Sequence, residues 1–347
     1  MSAPGPAAVI VLAAGEGTRM KSPVPKTLHE VCGRTMLAHS VAAAAGLHPE
    51  RLIVVVGHHG QKVADHAREL HPGVLIVEQD HLGGTGHAVR MALEAVGTIR
   101  GTVVVTYADA PLLTSATLAR LVAERDRTQA AAAVLTVVAP DPSGYGRIIR
   151  DAAGAFAAIV EEADATSEQR GIDEINSGMY AFDGDLLADA VKRVRTDNAQ
   201  GEEYLTDAVS VLRCDGYPVA TVSCEDFDEV QGVNDLAQLA YANRVMNARL
   251  LEAMMRSGVE IDDPATTKID AGVRLAPGAR IGPGTQLKGD TSVEAGAIVG
   301  PGCLIRDSIV GQGARVIHSV CESAEIGAGV QVGPYAHVVE SRSGDGW

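Results

Sequence analysis

The chain has 347 residues, with 29 Lys and Arg against 44 Asp and Glu for a formal charge of −15, 46% hydrophobic residues, and one Trp, seven Tyr and three Phe. At roughly 100–200 residues per domain this length predicts two or three domains, each able to bury a core, and excludes a single small module. The acidic balance makes nucleic-acid binding improbable and means that an anionic substrate must be drawn in by a few local cations or a metal ion.

The first residues lack the basic start and long apolar stretch of a signal peptide, and no apolar run approaches the roughly 20 residues of a membrane span, so a cytoplasmic protein is expected. Cys32, Cys214, Cys224, Cys303 and Cys321 are scattered and never spaced as CxxC. They imply neither a disulfide framework nor a zinc site.

Short Val- and Ile-rich runs alternate with Ala-rich helical stretches: strand 8–12 and helix 35–45, strand 52–56 and helix 61–70, strand 74–77 and helix 86–96, strand 102–106 and helix 115–124. Continuously apolar strands are buried on both faces, as helices on either side of a mostly parallel sheet require. The expected fold class is α/β: a three-layer domain over residues 1–235, with its site at the carboxyl ends of the strands. A helical segment follows over 236–263, in which Leu236, Leu239, Met246, Leu250 and Met254 share one arc; it reads as a packed helix or as a connecting arm. From 264 to 340 an aliphatic residue beside Gly recurs at multiples of about six residues, as in Ile281-Gly282, Val299-Gly300, Val310-Gly311, Ile326-Gly327 and Val332-Gly333. This predicts a left-handed parallel β-helix of about four coils at roughly 18 residues each, before a polar tail over 341–347.

The first strand runs into Leu12-Ala13-Ala14-Gly15-Glu16-Gly17-Thr18-Arg19-Met20, with Pro25-Lys26-Thr27-Leu28 close behind. Small residues there let backbone N–H groups approach a phosphate. Neither a Walker A loop nor a GxGxxG fingerprint fits, because no Gly precedes Lys21-Ser22 and Met20 occupies the sixth position. A GxG turn alone is weak evidence; Arg19 and Lys26, two cations beside a strand mouth in an acidic protein, strengthen it.

Residues 12–28 match LxxGxGTRxxxxxPKxL, and here the chain resembles the sugar-1-phosphate nucleotidylyltransferases. Among them it is most similar to the bacterial bifunctional N-acetylglucosamine-1-phosphate uridylyltransferase/glucosamine-1-phosphate acetyltransferases. Matching motifs follow in order, including Gly84-Thr85-Gly86-His87-Ala88, Tyr107-Ala108-Asp109, Gly144-Tyr145-Gly146-Arg147, Ile159-Val160-Glu161, Glu174-Ile175-Asn176-Ser177-Gly178, Tyr204-Leu205-Thr206-Asp207 and Gly232-Val233-Asn234.

The resemblance implies a Rossmann-like nucleotidyltransferase domain and attack by a sugar 1-phosphate oxygen on the α-phosphorus of UTP. It implies that Arg19 and Lys26 are the catalytic cations and that Asp109 and Asn234 hold Mg²⁺. Leu12, Ala13, Ala14, Gly15, Gln79, Gly84, Thr85 and Tyr107 are then expected to bind the nucleotide, the Gln79 amide offering both a donor and an acceptor to the uracil edge. Gly146, Glu161 and Asn176 are expected to hold N-acetylglucosamine.

Two positions depart from the family pattern. Gly83 stands where Leu is usual, which is expected to loosen the base pocket. Asp235 replaces a second Asn, either altering metal affinity or capping a helix. Left-handed β-helices pack in threes, so a homotrimer is expected. Because the chain stops just after Gly333-Pro334-Tyr335-Ala336, the acetyl-transfer site is expected to be absent. A nucleotidylyltransferase for a different sugar or base, and a non-catalytic sugar-nucleotide sensor or scaffold, remain as alternatives. The His58-His59 pair lacks evident Asp, Glu or Cys partners and reads as structural, as does His87 at a helix start.

Overall fold

A computed structural model describes residues 5–15, 17–58, 60–340 and 342–343. Glu16, His59 and most of the segments expected as a leaderless start and a polar tail lie outside the described residues. The chain divides into two compact units, residues 1–29 with 35–238 and residues 30–34 with 239–347.

The first unit is built on a nine-stranded sheet. Its main elements are β1 (Ala8–Ala13), α1 (Met36–Ala45), β2 (Arg51–Val56), α2 (Gln61–Leu70), β3 (Leu75–Glu78), α3 (Thr85–Val96), β4 (Thr102–Tyr107) and α4 (Ser115–Thr128). After them come β5 (Ala132–Val138), β6 (Arg147–Arg150), β7 (Phe156–Val160), β8 (Glu174–Asp183), α5 (Gly184–Val191), α6 (Leu205–Cys214) and β9 (Val219–Cys224). The strand order is β9-β5-β8-β4-β1-β2-β3, with β6 paired to β8 and β7. β1 lies parallel between β4 and β2, with Val11 opposite Val54 on one side and Thr106 on the other. β8 is antiparallel to both β4 and β5.

The alternation of side chains along β1 explains why every residue of this strand is apolar. Val9 and Val11 enter one core with Leu37 and Val41 of α1, whereas Ala8, Ile10 and Leu12 enter another with Val89 and Leu93 of α3. Helices therefore cover both faces, giving the expected three layers. The chain leaves β1 toward β2 and β3 and then returns to the other side as β4. This reversal of strand order opens a crevice at the carboxyl ends of β1 and β4.

The second unit contains three five-stranded parallel sheets of two- and three-residue strands, the faces of a left-handed parallel β-helix. Ile281, Val299, Val316 and Val332 stand in register along one face and fill the interior with residues such as Leu287 and Ile305. The first strand, Glu260–Ile261, lies ahead of the Gly-phased region, and the sheets hold five strands where about four coils are expected. The difference arises because the opening coil lacks the Gly signal and later turns are shorter than 18 residues.

In the long helix α7 (Leu236–Arg256), Leu250 and Met254 of the expected stripe pack against the core of the second unit, but the most buried positions lie beside that stripe. Leu236 is exposed, and the buried residues are Ala242, Asn247 and Leu251. Asn247 Nδ2 donates to Thr267 O at 3.0 Å, and Ile269 N donates to Asn247 Oδ1 at 2.9 Å. A polar residue thus fastens α7 to the start of the β-helix, satisfying two backbone groups that the short strands leave unpaired.

Candidate active site

Two cavities open at the carboxyl ends of β1 and β4. One, of about 310 Å³, is lined by Leu12, Ala13, Ala14 and Gly15 after β1, by Gln79, Gly84 and Thr85, and by Lys26, Tyr107 and Asp109. The other, of about 340 Å³, is lined by Gly146, Glu161 and Asn176 with Thr85, Tyr107 and Asp109. The expected nucleotide residues thus share one cavity and the expected sugar residues its neighbour. The two cavities have Thr85, Tyr107, Asp109 and Glu202 in common.

At this junction Lys26 Nζ lies 2.5 Å from Asp109 Oδ2 and donates to Asn234 Oδ1 at 2.7 Å. The ammonium bridges two oxygens that come from positions 125 residues apart, Asp109 just beyond β4 and Asn234 on the loop before α7. Backbone bonds hold them in place. Ala108 N donates to Leu12 O at 2.9 Å, tying the end of β4 to β1, and Val233 N donates to Asp109 O at 2.8 Å.

Asp235 is a helix cap: Gln238 N donates to Asp235 Oδ1 at 2.8 Å, and Asn234 N donates to Gln238 Oε1 at 2.7 Å. The Asp-x-x-Gln spacing is that of a capping box, but here the Gln238 side chain reaches back to Asn234 N rather than to Asp235 N, which makes Gln238 a positioning residue for Asn234. Lys26 is positioned by Gly17, whose φ of 64° and whose closeness to Lys26 (a Cβ there would meet Lys26 Cβ at 2.4 Å) both demand glycine. Arg19 lies exposed on the short turn Thr18–Met20 beside this loop.

One carboxylate oxygen and one amide oxygen converging on a cation form a hard, all-oxygen donor pair, which suits Mg²⁺. Asp109 and Asn234 therefore fit the ion that their motif implies.

Gln79 is 2% exposed, far from a surface amide. Its Nε2 donates to Gly84 O at 3.2 Å and to His87 Nδ1 at 2.9 Å, so both amide protons are spent inside the protein. The expected donor and acceptor pair is corrected to a single acceptor, Oε1. The expected loosening at Gly83 is also corrected: a side chain there would strike His87 Nδ1 at 2.7 Å and His81 Nε2 at 3.0 Å, so the two imidazoles fill the space. Arg90 pins the same region through a paired contact with Glu203, at 3.1 Å and 2.9 Å, while Gly86 N donates to Glu203 O at 2.7 Å.

In the second cavity Thr206 Oγ1 donates to Glu161 Oε1 at 3.0 Å. Burial pushes the Glu161 carboxyl up; the Thr206 hydrogen bond opposes this, and the charges of Asp207 and Asp164 add to it. Asn176 Nδ2 donates to Tyr180 OH at 2.7 Å, and Gly178 N donates to Asn176 Oδ1 at 3.1 Å. β8 bulges between Asn176 and Tyr180. Gly178 sits there at φ 83°, with Tyr107 close enough that a Cβ would meet its ring at 2.7 Å. The Tyr107 hydroxyl is raised well above its ordinary range by burial and then by the charges of Glu161 and Asp109, so it stays protonated. Thr206 and Tyr180 were not singled out in the sequence, although Thr206 lies within the Tyr204 to Asp207 motif. Arg147, 1% exposed, pairs with Glu162 at 2.7 Å below this cavity.

His58 has a carboxylate partner after all: its Nδ1 lies 3.0 Å from Glu78 Oε1 on the adjoining strand. The pair is exposed, and His59 lies outside the described residues.

Residues 9–172 match the model of the MobA-like NTP transferase domain. The chain is 54% identical over 331 residues to the bifunctional protein GlmU of Thermobifida fusca, an alignment covering 94% of this chain and 68% of that one. It is 52% identical over 340 residues to the bifunctional protein GlmU of Streptomyces avermitilis, covering 97% of this chain and 70% of the relative. The same identity and coverage relate it to the GlmU protein of Streptomyces coelicolor. Among the described residues, no helix is long and apolar enough to cross a membrane.

Proposed function

Because the chain belongs to the family of the bifunctional protein GlmU, we propose that its first unit joins UTP and N-acetylglucosamine 1-phosphate into UDP-N-acetylglucosamine, with release of pyrophosphate and dependence on Mg²⁺. The observation that carries this reading is the Lys26 ammonium between Asp109 and Asn234, at the junction of a cavity lined by backbone and Gln79 and one lined by Glu161 and Asn176.

The reaction forms a bond from a sugar phosphate oxygen to the α-phosphorus and breaks the bond from that phosphorus to the pyrophosphate. The attacking oxygen is already anionic, so no protein base is needed. Two anions must be brought together, and catalysis consists of placing them and neutralising charge. Asp109 and Asn234 would hold Mg²⁺, which would supply Lewis-acid charge to the phosphates when bound. Lys26 turns from its two oxygens toward the phosphoryl group, and Arg19 clamps the triphosphate.

The Gln79 Oε1 acceptor receives uracil N3–H. Glu161 accepts from sugar hydroxyls while Thr206 fixes its orientation. Asn176 is held by Tyr180 for the acetamido group.

The second unit is proposed to assemble three copies, an assignment that Ile309, Tyr335 and Val339, all exposed on the β-helix, support. Acetyl transfer is assigned to none of the residues described; a titration with acetyl-CoA giving no heat is the expected result.

The deciding experiment is pyrophosphate release with Mg²⁺ across the nucleoside triphosphates, each paired with a panel of sugar 1-phosphates. Selective turnover of UTP with N-acetylglucosamine 1-phosphate is expected. Preference for another pair would move the chain to a different sugar or base, and silence with every pair would favour a sensor.

A further inference from the structure

The loop from β3 to α3, together with the first turn of α3, carries a cluster that the proposed reaction does not use. One ligand atom from each of Asp80, His81 and His87 lies within 4.8 Å of the other two. His81 Nδ1 is 2.8 Å and His87 Nε2 is 3.3 Å from the same oxygen, Asp80 Oδ1. The imidazole rings are 4.3 Å apart at 33°.

His87 is 1% exposed and fixed at its other nitrogen by Gln79, whereas the Asp80 and His81 side chains are 64% and 68% exposed. The cluster therefore has one rigid imidazole from within and two arms reaching from solvent. Gly83 makes the convergence possible, since any Cβ there would meet both rings. Burial works against ionisation of Asp80, but the His81 hydrogen bond prevails and holds its carboxyl below the ordinary range.

Two borderline imidazole nitrogens with one carboxylate oxygen form a set that suits zinc, with a fourth position left to water. Bond lengths of about 2.0–2.2 Å to such ligands place neighbouring donors roughly 3.3 Å apart in a tetrahedron, close to the 2.8 Å and 3.3 Å that separate the two imidazoles from Asp80 Oδ1. Mg²⁺, which prefers oxygen, is poorly matched here.

We propose that Asp80, His81 and His87 bind a first-row transition ion, Zn²⁺ or a relative, at the rim of the nucleotide cavity. The ion also reaches the cavity through Gln79, a link that rests on the proposed nucleotide reading. With a metal on His87 Nε2, the ring proton sits on Nδ1, and Gln79 must turn its amide to accept it. The cavity then loses the Oε1 acceptor and gains a donor, which is mismatched to uracil N3–H.

The test uses the full chain without nucleotide, titrated with Co²⁺ for its visible absorption and with Zn²⁺ against a chromogenic chelator. One site of micromolar affinity is expected. His81→Ala and Asp80→Asn, both at exposed positions, should each weaken Zn²⁺ at least tenfold and abolish the Co²⁺ bands, and Gly83→Ala should weaken it by separating the rings. His58→Ala, at an exposed imidazole outside the cluster, should leave binding unchanged.

Zn²⁺ affinity that does not change in His81→Ala and Asp80→Asn, or no binding to the intact chain, overturns the site. An inactive chain that still binds Zn²⁺ through these residues would refute the reaction and keep the site. In the active chain, Zn²⁺ should raise the KM for UTP several-fold in a manner abolished by His81→Ala; an unchanged KM refutes the link through Gln79.

Discussion

Replacing Lys26 with Met keeps the aliphatic stem and removes only the ammonium that bridges Asp109 and Asn234 at 2.5 Å and 2.7 Å. Two opposite changes are expected. Loss of a cation aimed at developing phosphoryl charge should lower kcat by about 10²–10³, the cost of deleting one preorganised stabilising group. Affinity for Mg²⁺ should rise, because Lys26 occupies the same two oxygens that the ion needs. A hydrogen bond involving a charged group contributes about 1.5–3 kcal/mol, and relief of only about 1.4 kcal/mol of this competition tightens half-saturation tenfold. Initial rates of pyrophosphate release, titrated with Mg²⁺ at saturating UTP and sugar phosphate, read both quantities, with a melting curve to verify folding. Half-saturation that is unchanged or weaker in Lys26→Met would refute the shared-ligand argument, and a kcat within tenfold of the parent would refute the catalytic role.

Glu161→Gln tests the buried carboxyl. Its raised value means that the folded state resists ionisation, so the parent loses stability as pH rises from the ordinary 4.5 through the raised value. The variant should melt higher than the parent at pH 8 and lose that advantage below pH 4.5, while its KM for the sugar phosphate rises; a constant melting difference across this range would contradict the burial argument. Asn247→Ala should cost the second unit about 2–4 kcal/mol by orphaning Ile269 N–H and Thr267 C=O, and a denaturation midpoint equal to the parent's would show those bonds to be dispensable. Gly17→Ala should cost about 1–2 kcal/mol from its left-handed backbone and lower the rate by displacing Lys26; unaltered kinetics would separate Gly17 from the lysine.

The regular parts of both units were legible because burial imposes a period. Strand β1 is apolar at every position because its two faces enter two cores, and the β-helix repeats an aliphatic residue because one residue in each short strand points inward. What escaped were polar residues serving single partners. Asn247 sits on the inner face of α7 where an amphipathic reading expects Leu or Met, since its role is to satisfy the backbone of another element. Gln79 is expected to offer the uracil edge a donor and an acceptor, and only the folding of His87 and Gly84 onto it reveals that its protons are spent. The motifs named the residues around the junction, but the order in which they meet is a property of three dimensions: Lys26 and Asn234 lie 208 positions apart and share a hydrogen bond.

The interior column of the β-helix passes through Ile281, Val299, Val316 and Val332 at intervals of 18, 17 and 16 residues, yet the strands stay in register. The corners absorb the variation and the faces do not. Height is therefore an adjustable dimension in this unit: a turn can be added or removed as a plate is from a stack, changing how far the surface extends while leaving the cross-section and the packing rule of every remaining turn intact.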